Sequence, residues 1–154
     1  MQEKLKKISL KQQIYLETIY DLSRSHGHAH VKGIAERLNN RMPSVTEAMR
    51  KLAAMGLVNY DVRKNISLTE KGMSIATELD KRHSVLADFY GEILGCNHAK
   101  AEEIACKVEH VVDAAFCDRL AGFADFLRHK KNSGMDLVEE FRNYYQQQDN
   151  KKCD

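Results

Sequence analysis

Apolar residues recur at three- and four-residue steps over residues 10–22 (Leu10, Ile14, Leu16, Ile19, Tyr20, Leu22), the spacing of a helix that buries one face. The polar, glycine-containing stretch SRSHGHAH ends it. A short helix is predicted at 31–38, with Ile34, Ala35 and Leu38 on one side, and Asn39-Asn40 supplies a turn. A third helix is predicted at 43–55. Pro43 is tolerated near a helix entrance, Ser44 and Glu47 have the spacing of a capping box, and Gly56 stops the helix. The alternation in VNYDVRKNISL predicts two short strands, 58–62 and 66–68, joined by a basic tip. Beyond them the pattern predicts a long helix at 70–94 capped by Thr69, another at 99–120 capped by Asn97, and a last short one at 137–145. Two helices with a tight turn, followed by a basic-tipped hairpin, is the order of a winged helix-turn-helix. The expected fold is therefore mainly α.

The chain has 154 residues, enough for one ordinary domain or two small ones. Its net charge of +2 points to no partner, but the charge is unevenly placed. Residues 1–72 carry 13 basic and 7 acidic side chains, a net of +6, whereas residues 73–154 carry 11 and 15, a net of −4. We therefore divide the chain at 72/73, with a basic half suited to nucleic acid. A composition of 43% hydrophobic and 30% charged residues with one proline excludes disordered and collagen-like classes. No stretch approaches the ~20 apolar residues of a bilayer span, and MQEKLKKISLKQQ lacks the apolar core of a signal peptide. A cytoplasmic protein without a membrane partner is expected. Cys96, Cys106, Cys117 and Cys153 have no regular spacing, so no disulfide framework is expected.

In a helix-turn-helix the second helix presents its N-terminal residues to base edges while basic side chains elsewhere hold phosphates. The candidates for the helix are Arg41, Pro43, Ser44, Thr46, Glu47 and Arg50, with Val45, Met49 and Leu52 facing inward. Lys32, Lys51, Arg63 and Lys64 are the phosphate candidates. The competing reading is a simple packing unit with solvated lysines.

In the predicted 99–120 helix, Glu102, Cys106, Glu109, His110 and Asp113 are spaced to share roughly one face. Thiolate, carboxylate and imidazole together suit a divalent transition metal better than Mg²⁺ or Ca²⁺. One helix cannot close a coordination sphere, so Glu17 and His83 are the best further ligands. The competing reading makes Cys106 a small buried hydrophobe. His26, His28 and His30 could line one side of a strand, but a glycine-containing loop reads better as an exposed connection.

YLETIYDL (15–22), IAERL (34–38), PSVTEAMRKL (43–52), GLV (56–58), LTEKG (68–72), Arg82-His83 and Glu109-His110 occur in an order that resembles the metal-dependent repressors of the diphtheria-toxin-repressor and manganese-transport-regulator family. The resemblance covers residues 9–127. It implies an N-terminal winged helix joined to a helical dimerisation and metal-binding domain. It also implies a homodimer that binds palindromic double-stranded operators when loaded with metal, represses metal-uptake genes and is not an enzyme. The positions matching family ligands are Glu17, His83, Cys106, Glu109 and His110, and Glu102 matches a second-site ligand of the iron branch. No SH3-like third domain of that branch is expected, and the architecture resembles the short manganese branch. The chain departs from the family at Ile14, where a ligand is usual, and at Ala87, which replaces a second-site carboxylate.

Cys106 matches the iron branch, and thiolate favours Fe²⁺, Co²⁺, Ni²⁺ or Zn²⁺ over Mn²⁺. Fe²⁺ is the expected ion, with Zn²⁺ or Mn²⁺ as alternatives. Two other classes compete: a regulator that senses oxidants through Cys106, and an enzyme using Cys106 and His110 as nucleophile and base. The enzyme reading lacks an oxyanion loop and a third orienting group, and no small organic substrate is expected.

Overall fold

A computed structural model describes residues 8–61 and 65–150, with side chains to residue 147. The chain divides into two compact units, Met1–Asp80 and Lys81–Asp154.

In the first unit, α1 (Leu10–His26) begins at Ser9, whose side chain accepts from the Gln12 backbone N–H while the Gln12 side chain accepts from the Ser9 N–H at 2.7 Å. Two otherwise orphaned donors are thus satisfied. Gly27 then ends the helix in the left-handed conformation (φ 76°), four residues beyond the expected stop. Helices α2 (Val31–Arg37) and α3 (Met42–Ala54) follow close to their expected positions. The expected Ser44/Glu47 capping box is not formed. The helix starts earlier, at Arg41, with Pro43 in its first turn, so Ser44 lies inside it and Glu47 pairs instead with Lys51 at 2.6 Å.

The hairpin is shorter than alternation predicted. Strands β1 (Val58–Asn59) and β2 (Ser67–Leu68) are antiparallel, Val58 opposite Leu68 and Asn59 opposite Ser67, and Ile66 bridges to Ala29. Val62, Arg63 and Lys64, at the expected hairpin tip, lie outside the described residues. Tyr15, Leu16 and Ile19 of α1, Ile34 of α2, Val45, Met49 and Leu52 of α3, and Leu57 and Ile66 of the hairpin form one buried core with Ile75, Ala76 and Leu79. Those last three belong to α4 (Glu70–Asp88). The Thr69 hydroxyl accepts from the Gly72 N–H at 3.1 Å and donates to the Gly56 carbonyl at 2.8 Å, capping α4 while tying it to the hairpin. Gly72 permits this close approach, because a Cβ there would stand 2.0 Å from the Leu57 carbonyl oxygen.

In the second unit, the expected long helix stops at Asp88 and continues as a π-helical turn, Phe89–Ile93. Asn97 caps α5 (His98–Val108), accepting from the Lys100 N–H at 2.9 Å. The expected single helix over 99–120 is two helices. After Val108 the chain breaks over residues 109–113, and Asp113 caps α6 (Ala114–Asn132) by accepting from the Phe116 N–H at 2.8 Å. Arg82, 4% exposed, donates to the Val112 carbonyl at 2.8 Å and satisfies a backbone acceptor that the break leaves open. Helix α7 (Leu137–Asn150) follows. Arg142 on it donates to the Gly91 and Glu92 carbonyls, whose intrahelical partners end with the π-helical turn. The second core is small: Ile93, Ala124 and Leu127, flanked by Phe89, Leu137 and Val138. Among the described residues no helix is long and apolar enough to cross a membrane.

Candidate metal centre and nucleic-acid interface

Three segments of the second unit bring titratable groups together. Helix α4 supplies His83 and α5 supplies Glu102, while the break after α5 supplies Glu109 and His110. His83 Nδ1 lies 2.7 Å from Glu109 Oε2, and Nε2 lies 2.9 Å from Glu102 Oε2. Both ring nitrogens therefore face carboxylate acceptors, the arrangement of an imidazolium. The hydrogen bond to Glu109 is the largest cause that raises the His83 pKa to about 9, outweighing its burial.

His110 behaves in the opposite way. Its side chain is 6% exposed, and burial pushes its pKa below the usual histidine value despite the adjacent Glu109 charge. Its Nε2 lies 3.4 Å from Glu109 Oε1. Two imidazoles and two carboxylates in pairwise contact offer nitrogen and oxygen donors of the kind that a divalent transition ion takes. The positive charge between Glu102 and Glu109 is that of the protonated His83 ring.

The other expected ligands stand differently. Cys106 is exposed on α5, one turn beyond Glu102. Glu17 is half-buried on α1 of the first unit. Asp113, grouped with the ligands by helical spacing, is the cap of α6, so the shared helical face ends at Val108. Arg82 was not predicted as part of the site, yet it holds the segment that carries His110. His26, His28 and His30 are exposed, with the His28 and His30 rings stacked 5.4 Å apart, as expected of a connection.

In the first unit, α3 buries Val45, Met49 and Leu52 completely. It exposes Arg41, Pro43, Ser44, Glu47, Arg50 and Lys51, and half-buries Thr46. The inward and outward faces are thus those expected of a groove-reading helix. Lys32 is exposed on α2, 3.8 Å from Glu36. Arg63 and Lys64 lie outside the described residues. A cavity of about 330 Å³ between the start of α1 and α3 is lined by Ser9, Lys11, Ser44, Glu47 and Lys51. Lys11 was not among the expected contacts. The Ser9/Gln12 capping box is the signal that could have placed the start of α1, and hence Lys11, beside α3.

Residues 7–66 match the family model described as iron dependent repressor, N-terminal DNA binding domain. Residues 69–136 match the one described as iron dependent repressor, metal binding and dimerisation domain. The chain belongs to the iron-dependent repressor family. It carries both parts of that family's architecture, a winged helix-turn-helix for DNA followed by a helical unit for metal and dimerisation. It is 33% identical to an uncharacterized HTH-type transcriptional regulator of Methanocaldococcus jannaschii over 75% of this chain and 94% of that protein. To the HTH-type transcriptional regulator MntR of Oceanobacillus iheyensis it is 31% identical over 86% and 90% of the two chains. Among solved structures, the manganese regulator SloR is similar with a TM-score of 0.64 and 31% identity, over 75% of this chain. The chain spans about half of that protein, 54% of its length. Iron is named in the family description and manganese in the solved relative, so kinship leaves the ion open.

Proposed function

We propose that this protein is a metal-responsive transcriptional repressor that binds a palindromic operator as a homodimer and governs metal-uptake genes. The observation that supports the metal part is the convergence of His83, Glu102, Glu109 and neutral His110. His83, Glu102, Glu109 and His110 would hold the ion, joined by Cys106 and, from the DNA-binding part, by Glu17. A bound ion would supply the fixed positive charge that a proton now supplies on His83. Glu102 and Glu109 would exchange that imidazolium for the ion at little cost in net charge. Glu17 is the ligand that would make the posture of the DNA-binding part depend on loading. DNA must then tighten metal binding by the same factor by which metal tightens DNA binding.

Arg41, Pro43, Ser44, Thr46, Glu47 and Arg50 would face the major groove, with Lys32, Lys51, Arg63 and Lys64 on phosphates. Our preferred ion is Fe²⁺, on the strength of the Cys106 thiol. Mn²⁺ is the second reading, favoured by the imidazole and carboxylate donors of His83, Glu102, Glu109 and His110. The test is to titrate chelated full-length protein with anaerobic Fe²⁺, Mn²⁺ and Zn²⁺, reading its binding to DNA upstream of its own gene. Tighter binding on loading, lost in Glu17→Ala and His83→Ala variants, is expected. Binding that survives chelation unchanged would refute the metal reading, and activation by Mn²⁺ alone would refute iron.

A further inference from the structure

Glu47 is the one acidic residue of α3, the helix with which a basic domain would enter DNA. It is exposed, on the same side as Ser44 and Lys51, and its carboxylate lies 2.6 Å from the Lys51 ammonium. Lys11, across the cavity that both residues line, adds a second positive charge. The Lys51 hydrogen bond holds the carboxyl below the usual glutamate range, so at neutral pH it is ionised and can only accept. A bare carboxylate facing phosphates weakens binding to every sequence alike. Lys51 and Lys11 offset part of that cost, and a hydrogen-bond donor on a base edge would offset the rest.

The major groove presents few donors. Guanine offers two acceptors and thymine an acceptor and a methyl group, whereas cytosine offers its N4 amino group and adenine an amino group beside the N7 acceptor. A carboxylate that meets adenine sets its second oxygen against N7. Cytosine has no such neighbour. Resting on the operator-binding reading above, we infer that Glu47 is a specificity determinant that selects cytosine at one position of each operator half-site, with Lys51 and Lys11 as the cations that orient it and offset its charge. The bland alternative is that Glu47 and Lys51 form an ordinary exposed i,i+4 pair, which contributes a few tenths of a kcal/mol and reads nothing.

Selection from random double-stranded DNA separates the two. Full-length wild-type, Glu47→Gln and Glu47→Ala proteins, each saturated with Mn²⁺ or with anaerobic Fe²⁺, are used to enrich and sequence bound DNA. The wild type is expected to enrich a palindrome with one cytosine per half-site favoured roughly tenfold or more over other bases. Glu47→Gln should move that position to adenine, whose amino and N7 pair a glutamine can match, and leave the other positions unchanged. Glu47→Ala should lose the preference there and bind mismatched DNA more tightly. If all three proteins enrich the same sequence with equal preference, or if the position that responds is not cytosine in the wild type, the inference is overturned while the regulator reading stands. If the wild type enriches no sequence with either ion or with Zn²⁺, both fall.

Discussion

The two units solve the burial problem differently. The first closes a core around Tyr15, Leu16, Ile19, Ile34, Met49, Leu52 and Leu79, all nearly inaccessible. The second gathers Ile93, Ala124 and Leu127 into a small cluster, buries Leu86, Ala101, Ala105 and Cys117 besides, and leaves Phe116, Phe123, Phe126 and Phe141 between 41% and 48% exposed. Phe123, Phe126 and Phe141 also line an apolar cavity of about 370 Å³ with Phe89 and Leu94. Exposed aromatics in such number mark a surface that meets another protein. The DNA-binding unit is stabilised within one chain, whereas the unit that carries the dimerisation function is finished by a second copy.

Leu16→Ala should have the largest effect, costing about 2–5 kcal/mol of stability in the first unit. Urea unfolding should show this loss at any protein concentration; a concentration-dependent loss would erase the contrast between the units. Phe123→Glu should leave the first unit's transition in place and shift the dimer toward monomer, by about 2 kcal/mol if Phe123 is an interface anchor. Sedimentation equilibrium reads the shift, and an unchanged dimer would remove this face from the interface. Gly72→Ala, forced against the Leu57 carbonyl, should cost roughly 1–3 kcal/mol. Thermal melting of both units shows whether that strain stays in the first. Asp113→Ala should cost about 1 kcal/mol, the worth of a helix cap. Its melting shift should be confined to the second unit, and a loss of metal affinity far beyond that figure would make Asp113 a ligand after all.

Most of the first unit was legible in the sequence because its helices bury one face each, and such a face leaves a period in the residues. Ile14, Leu16 and Ile19, then Val45, Met49 and Leu52, carried it. The hairpin was overextended because alternation in VNYDV does not show where pairing ends, and among its described residues only Val58 and Asn59 pair with the second strand. Ser44 and Glu47 matched a capping spacing by composition, but a helix begins where the backbone turns, and Pro43 had already entered it. In the second unit VEHVVD has neither glycine nor proline to announce a break. Asp113 before Ala-Ala-Phe was the available signal, outweighed by a run of residues at ligand spacing. The cluster was still partly recoverable, because Glu102 and Glu109 do meet His83, and His110 lies against Glu109. These contacts arise through a broken helix rather than along a continuous face, and the buried Arg82 that holds the break gave no periodic signal.

His83 gives the site its own pH signature. Its pKa, raised to about 9 in the folded protein, means that its stabilising contribution is fully present below the ordinary histidine range and is lost as pH rises through about 9. An ion that binds through this ring must first displace the proton, so affinity should rise with pH up to that value. Calorimetric titration of chelated wild-type and His83→Ala proteins with Mn²⁺ near neutral pH, in buffers of different ionisation enthalpy, counts the protons released per ion bound. The wild type should release about one proton more than the variant and bind at least roughly tenfold more tightly. Equal proton release and equal affinity in the two proteins would contradict a cation taking the place of the His83 proton between Glu102 and Glu109.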